Sequence, residues 1–443
     1  MMSRPTATTL GFLLTAFGLC GEAIAQSTAA TLTLEEAITQ GLANSMRVAE
    51  LQARVESASA VERARGAARL PIVSLEGGYT RTNHVQEFTI AQPGQPLRVL
   101  YPDIPDNYRS RLDLQWPIYT AGRADALERA ARAEREAAGE DLEAARADLR
   151  LEITRAFWAL VTAQETAVVL ERSLASTGAH VRDLRNRLEQ GLIPPNEVLT
   201  GETQLARERL LAIEAENARA IAEADLQRLL GIDRSVSVQP RATLELSSSG
   251  PGTASASPPS ESLRAERRAL VDRVEAADAR TAAAAAGARP QIAVGAGYDY
   301  ARPNPRIFPR SGEWEDSWDV SVNVSWAVWD GGRNRAERAE AAAAATALKA
   351  RLGDLDRQIA FEIRQRQLEL DSSRAAVPVA EAAVVAAVEA RRVLGDRFNA
   401  GVATSTEVLD AQTDVMQAEL TLKRALANVR LAEARLERAV GAR

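Results

Sequence analysis

The sequence predicts a mainly α-helical fold with a small β portion, built from two copies of one unit: a pair of alternating strands followed by a long helical hairpin. Three observations predict it. Residues 112–231 align with 322–441 at a constant offset of 210, without a gap. Four short segments alternate apolar and polar residues with period two. Two helix-forming stretches each run for about seventy residues and end at a glycine, Gly191 in one and Gly401 in the other.

The first 25 residues read as an export signal. Arg4 supplies a short charged region, residues 10–19 are apolar, and Ala23-Ile24-Ala25 is a small-x-small cleavage site before Gln26. The apolar run is too short to span a bilayer. Cys20, the only cysteine, opens lipid attachment as an alternative, although Phe17-Gly18-Leu19 is a poor approach to a lipidated cysteine. Cleavage after Ala25 leaves a mature chain without a thiol, so no disulfide or cysteine metal site is expected.

The first repeat covers residues 26–231, with short helices, strands at about 71–81 and 109–119, and a long hairpin over 122–231. The first strand sets Val73, Leu75 and Tyr79 against Ser74, Glu76 and Thr80; the second sets Leu112, Leu114, Trp116 and Ile118 against Arg111, Asp113 and Gln115. A Ser/Pro/Gly-rich linker over 232–262 leads to the second repeat, 263–443. Its helix precedes strands at about 291–300 and 318–329 and a hairpin over 332–441. In its last strand Trp318, Val320, Val322, Val324, Trp326 and Val328 share one face, and Asp319, Ser321, Asn323 and Ser325 the other. The landmarks repeat in order: Trp116 with Trp326, Gly122-Arg123 with Gly332-Arg333, Glu197-Val198-Leu199 with Glu407-Val408-Leu409.

Strands of about nine to eleven residues with aromatics near their ends can cross a bilayer when tilted. An antiparallel sheet with one solvated face would read similarly, but no separate apolar layer is available to cover four strands. Four strands cannot close a barrel, so the membrane reading requires several copies. The loops spanning 83–108 and 301–317 would then face outward.

Each long helix would extend about 105 Å, its return arm about 57 Å, and the helix entering the second strand pair about 39 Å, so that one continuous helix matches two stacked shorter ones. In the final arm Val408, Val415, Leu422, Val429 and Leu436 recur at heptad spacing, with Ala411, Ala418, Ala425, Ala432 and Ala439 three positions later, a large-small seam for close helix approach. The first repeat follows this loosely through Val198, Leu205 and Ala212 until Arg219. Pro378 is expected to kink or bulge the second long helix.

Net charge is −6, so there is no basic footprint for nucleic acid. Aromatic content is only 4 %, which suits long alanine-rich helices. The two histidines, His84 and His180, lie in different elements without a metal or triad pattern and read as surface residues. No catalytic residue, cofactor site or metal site is evident.

Several stretches resemble the TolC-like outer-membrane efflux family: Thr33-Leu34-Glu35-Glu36-Ala37 with Leu42-Ala43-Asn44-Ser45, Ala68-Arg69-Leu70-Pro71 leading to Gly78-Tyr79, Trp116-Pro117-Ile118-Tyr119 before Gly122-Arg123, and Phe398 three residues before Gly401 followed by Glu407-Val408-Leu409-Asp410-Ala411. The resemblance implies a homotrimer with a twelve-strand β-barrel in the outer membrane on a tunnel of twelve helix columns. It implies a passive exit duct for tripartite efflux or type I secretion, docked with a periplasmic adaptor protein and an inner-membrane pump. By position, Asp410, Glu407 and Glu197 would constrict the periplasmic entrance, and the hairpin tips at Gly191 and Gly401 would dock the adaptor. The capping-box sequence Thr404-Ser405-Thr406-Glu407 gives Glu407 a second reading as a helix cap, and Glu197 the same by position. Where some members tie the entrance with an aromatic hydroxyl and an arginine, this chain has Phe398 and Ala403. A periplasmic coiled-coil adaptor or scaffold is the competing class, but such proteins carry one hairpin where this chain has two. The transported substrate is not legible.

Overall fold

The computed structural model describes residues 30–91, 93–94, 96–233, 235–244 and 264–441; the expected export signal and most of the linker lie outside the described residues. In chain order the elements are β1 (Ala30–Leu32), α1 (Leu34–Asn44), α2 (Met46–Ala67), β2 (Ile72–Arg81), β3 (Phe88–Ile90), β4 (Arg98–Tyr101), β5 (Asp106–Tyr119), α3 (Arg123–Glu189), α4 (Pro195–Leu230), β6 (Val238–Pro240), α5 (Ala265–Ala286), β7 (Gln291–Arg302), β8 (Glu315–Ser325), α6 (Arg333–Asn399) and α7 (Ser405–Val440).

The repeat is visible in the helix lengths. α3 and α6 each have 67 residues, α4 and α7 each 36, and α2 and α5 each 22. A 67-residue helix is about 100 Å long, and a 36- and a 22-residue helix end to end come to about 87 Å. In the half nearer the sheet, α3 packs between α2 and α5, and α5 packs on α6; in the other half, α3 packs between α4 and α7, and α7 packs on α6. Each protomer is thus four columns wide, two continuous and two stacked.

Ion pairs lock the α7–α5 joint to both long helices. Arg438 reaches Asp148 of α3 at 2.8 Å and Glu266 of α5, while Arg264, at the start of α5, reaches Glu362 of α6 at 2.6 Å. At the other joint, Arg47 of α2 pairs with Glu152 of α3 at 3.3 Å, and Asn44 Nδ2 donates to the Leu230 carbonyl at 2.8 Å, tying α1 to the end of α4.

The main core lies around this waist. Ile153, Phe157 and Leu160 of α3 are fully buried against Leu226 and Leu230 of α4, with Ala37 and Ile38 of α1 and Val238 and Leu244 from the segment after α4. Burying such a side chain contributes roughly 1.5–3 kcal/mol. β1 and β6 pair in parallel on this core. The α7 seam behaves as its heptads require: Val408, Val415 and Val429 are buried, with Ala411, Ala425, Ala432 and Ala439. α6 runs as one helix through Pro378, where a kink or bulge was expected; Val377 and Ala380 on either side are buried in the core cluster, which holds the helix across the missing bond.

β2, β5, β7 and β8 form one antiparallel sheet in the order β2-β5-β7-β8, leaving β2 and β8 as edges without a partner strand among the described residues. β3 and β4 form a small hairpin inside the longer loop of the first repeat. β8 ends at Ser325, short of the expected 329. Beyond it Trp326 donates from Nε1 to the Ala288 carbonyl at 3.1 Å, and Asp330 accepts from the Gly332 and Asn334 amides at 3.0 and 2.8 Å, so the chain turns into α6 instead of continuing the ladder.

Membrane-facing wall and candidate periplasmic entrance

The ladder register separates the two faces of the sheet. Val322 pairs with Val294, Trp318 with Tyr298, Leu112 with Tyr298, and Leu75 with Leu112, so one face is a continuous apolar surface. Its large side chains are exposed, from Leu75 through Leu112 to Val320, Val322 and Val324. Aromatics gather at both ends of it. Tyr300 stacks on Trp314 at 5.0 Å, and Tyr79 and Tyr108 lie 5.0 Å apart at one end; Trp116, Tyr119, Trp326 and Trp329 lie at the other. Along β8, Trp318 to Trp326 spans about 26 Å by strand rise, or about 20 Å after a tilt of roughly 40°, close to the apolar band of a membrane barrel, about 25 Å.

The opposite face is polar. Arg111 Nε pairs with Asp113 at 2.8 Å, and its guanidinium reaches Asp299 and, at 3.3 Å, Asp319. Arg109 Nε adds a 2.7 Å bond to Asp299. The pattern of the strands indicated this face as charged, but the pairing of Arg111 with carboxylates on two distant strands needs the register.

The hairpin tips are at the far end of the helices. Gly191 and Gly401 have φ of +71° and +76°, where an L side chain is strained, and both close the same turn. Leu192 N donates to Arg187 O and Val402 N to Arg397 O, each at 2.9 Å. Leu184, Val198, Phe398 and Val408 form a buried cluster that joins the two tips. Arg187 lies over the Phe398 ring at 4.5 Å and donates to Asn399 Oδ1 at 3.2 Å, so the place of the aromatic hydroxyl is taken by a buried ring under a guanidinium from the other hairpin.

The three carboxylates expected at the entrance differ in setting. Glu407 closes a capping box: Thr404 N and Oγ1 donate to its Oε2 at 2.7 and 2.9 Å, and these bonds hold its carboxyl below the usual value. Glu197 has no such cap, contrary to the capping expectation. The residue at the cap position is Pro194, which has neither an amide hydrogen nor a side-chain oxygen. Asp410 is exposed and makes no hydrogen bond or ion pair among the described residues. It belongs to an exposed polar stripe on α7 that continues through Asp414, Gln417 and Thr421, a continuation that sequence reasoning did not single out.

His180 is also not the surface residue expected. It is half-buried between α3 and α7, with Nε2 3.0 Å from Ser405 Oγ and its ring edge-on to Phe398 at 5.3 Å, and burial pushes its imidazole pKa down. His84 is exposed and pairs with Asp103 at 2.6 Å. A further feature missed from the sequence is Glu208, buried in the α4 seam, which accepts from Thr177 Oγ1 at 2.9 Å and Ser173 Oγ at 3.1 Å. Among the described residues no group of three or more His, Cys, Asp or Glu could hold a metal ion, and no helix is long and apolar enough to cross a membrane.

Long paired helices joined to a four-strand patch with a lipid-type outer face define a class: outer-membrane channels with a long helical periplasmic extension. The profile of the Outer membrane efflux protein family matches residues 37–232 and 262–442, and the chain belongs to that family. It is a family of channels, not of enzymes. Among curated relatives, Protein CyaE of Bordetella pertussis is 28 % identical over 204 residues, 46 % of this chain, and the match spans 40 % of that protein's length. Outer membrane protein TolC of Vibrio cholerae is 23 % identical over 296 residues, 66 % of this chain and 67 % of that protein. The fold is shared with the outer membrane protein VceC of Vibrio cholerae (TM-score 0.77, 21 % identity, 92 % of this chain and 96 % of that one). It is also shared with CusC (TM-score 0.79, 16 % identity, 92 % of both chains).

Proposed function

We propose that three copies of this outer-membrane efflux channel close into one passive duct, the exit of a tripartite efflux or type I secretion system. The observation that carries this reading is that the protomer is unfinished at both levels. β2 and β8 leave their outer edges unpaired, and the helix wall exposes apolar side chains at its two ends: Leu199, Leu210, Ile213 and Ile221 on α4, and Phe361, Leu368, Val379 and Val385 on α6. Open strand edges do not persist in lipid. Three copies of four strands and four columns supply twelve of each, enough to enclose a lumen.

In this reading the tips at Gly191 and Gly401 meet a periplasmic adaptor, which links the duct to an inner-membrane pump. Asp410 and Glu197 set the charge of the entrance, and Glu407 holds the start of α7 while adding to it. Three copies of Asp410 near one axis repel each other and attract cations. The polar stripe on α7 supports a water-lined passage. The test is fractionation followed by native mass of the detergent-extracted protein. A trimer in the outer membrane is expected; a monomer in the soluble periplasmic fraction would refute the reading.

A further inference from the structure

The polar face of the sheet is not evenly open. In a single protomer it should be solvated along its length, and toward the helices it is: Asn323 and Ser325 are exposed. On β7, toward the outer end, the same face is covered, with Asp299 2 % and Ala301 1 % exposed, while their neighbours Tyr298 and Tyr300 on the other face stay exposed. The cover is the β7–β8 loop, residues 303–314, together with Arg109 and Arg111. The loop lies at the end of the sheet expected to face outward, and from there it folds back across the inner wall.

It is fastened there by named contacts. Asn304, 1 % exposed, donates from Nδ2 to Glu315 O at 3.0 Å and Ser317 Oγ at 3.1 Å, and its Oδ1 accepts from Arg306 N at 3.0 Å. Arg306 Nη1 donates to Trp318 O at 3.0 Å, and Nη2 pairs with Asp319 Oδ1 at 2.7 Å. Ser317 and Asp319 belong to the inner face, and Asp319 is the carboxylate that Arg111 also reaches, so the loop is bonded into the ion-pair network of the wall. Pro303, Pro305 and Arg310 roof a cleft of about 320 Å³ floored by Gly78, Arg109 and Arg111.

We propose that this loop is a size-selecting constriction at the external mouth of the duct, with Asn304 and Arg306 as the residues that hold it inward. The proposal rests on the outer-membrane duct reading. Three inward loops narrow the passage that any cargo must leave by. The Arg306–Asp319 pair is itself partly solvated, so it biases the loop inward without locking it.

The test uses single cysteines in the full chain, whose only native cysteine, Cys20, lies in the expected export signal. Asn323→Cys reports the inner wall beyond the loop, and Glu313→Cys reports the exposed loop itself. Intact cells are treated with a small charged maleimide or a maleimide on a bulky polyethylene glycol. With the native loop, both reagents label Glu313→Cys, and only the small one labels Asn323→Cys readily. Adding Arg306→Ala should speed bulky labelling of Asn323→Cys roughly five- to tenfold, and Arg306→Lys should restore most of the exclusion. Equal bulky labelling of Asn323→Cys and Glu313→Cys with the native loop would overturn the proposal, and this arm stands even if Arg306→Ala fails to assemble. Equal bulky rates with and without Arg306 would overturn it too. If even the small reagent reaches Glu313→Cys but never Asn323→Cys, the inner face lines no water-filled lumen and the duct reading falls with it.

Discussion

Val322→Arg is the sharpest probe of the membrane wall. Val322 lies near the middle of β8, opposite Val294 and between Val320 and Val324 on the same face, and it is 66 % exposed. An arginine on the lipid face near the midplane of a membrane barrel costs about 2–4 kcal/mol. In the proposed trimer, three copies in one barrel multiply this to about 6–12 kcal/mol, as large as the whole stability of a typical domain. Ser321→Arg is the matched control. It is one residue away on the polar face, where Gly295 opposite leaves room above the sheet, and a guanidinium there extends into water, a change worth about 0.5 kcal/mol or less. The assay is the amount of trimer in the outer-membrane fraction, read from heat-modifiable gel mobility, with urea titration of the extracted protein. Val322→Arg should lower assembled trimer more than about tenfold and Ser321→Arg less than about twofold. Equal losses would refute the assignment of the two faces.

Three further outcomes are expected. Asp410→Ala should lower cation-over-anion selectivity in planar bilayers, measured from reversal potentials; an unchanged ratio would remove Asp410 from the entrance. His180 is kept neutral by burial in the folded tip, with Asp183 and Arg187 on its own helix and Ser405 and Phe398 facing it from α7 and α6, so as pH falls through the ordinary histidine range, about 6.5, the unfolded chain takes up a proton that the folded tip resists. Tip stability should therefore be present above that range and decline from about pH 7 toward pH 5, seen as faster hydrogen exchange around residues 180–190, and His180→Gln should flatten the profile; identical profiles would count against this account. Gly41→Ala should weaken docking of α1 by about 1–3 kcal/mol, because a Cβ there would lie 2.4 Å from Ile153 Cδ1; an unshifted thermal transition in detergent would show that the waist can adjust.

The parts of this structure that were readable in the sequence are those fixed by local periodicity. The offset of 210 gave two equal hairpins because helix length follows directly from residue count, and the strand faces followed from alternation through Trp318, Val320 and Val322. The tip glycines were readable because only a positive φ closes that turn. What was not readable depends on which elements meet. Glu197 and Glu407 sit at equivalent positions with the same neighbours Val and Leu, yet only Glu407 caps a helix, because Thr404 is replaced by Pro194 in the first repeat. His180 looked like a surface residue on an isolated helix and is half-buried because α7 crosses it.

The two repeats share one backbone plan, and their differences fall where the plan alone leaves a choice. Glu208 occupies the seam position that the small, partly buried Ala418 holds in the second repeat, so the first arm alone carries a buried carboxylate there, with neutral hydroxyl partners on α3. A buried polar group at a seam position costs stability and favours one register, because a shift would strand the carboxylate without its donors. The loops diverge in the same way: the first repeat spends its extra length on the β3–β4 hairpin, and the second folds its shorter loop back onto the wall through Asn304 and Arg306. Duplication thus accounts for the columns and strands, and the residues that break the symmetry are the ones that distinguish one hairpin from the other and one end of the duct from the other.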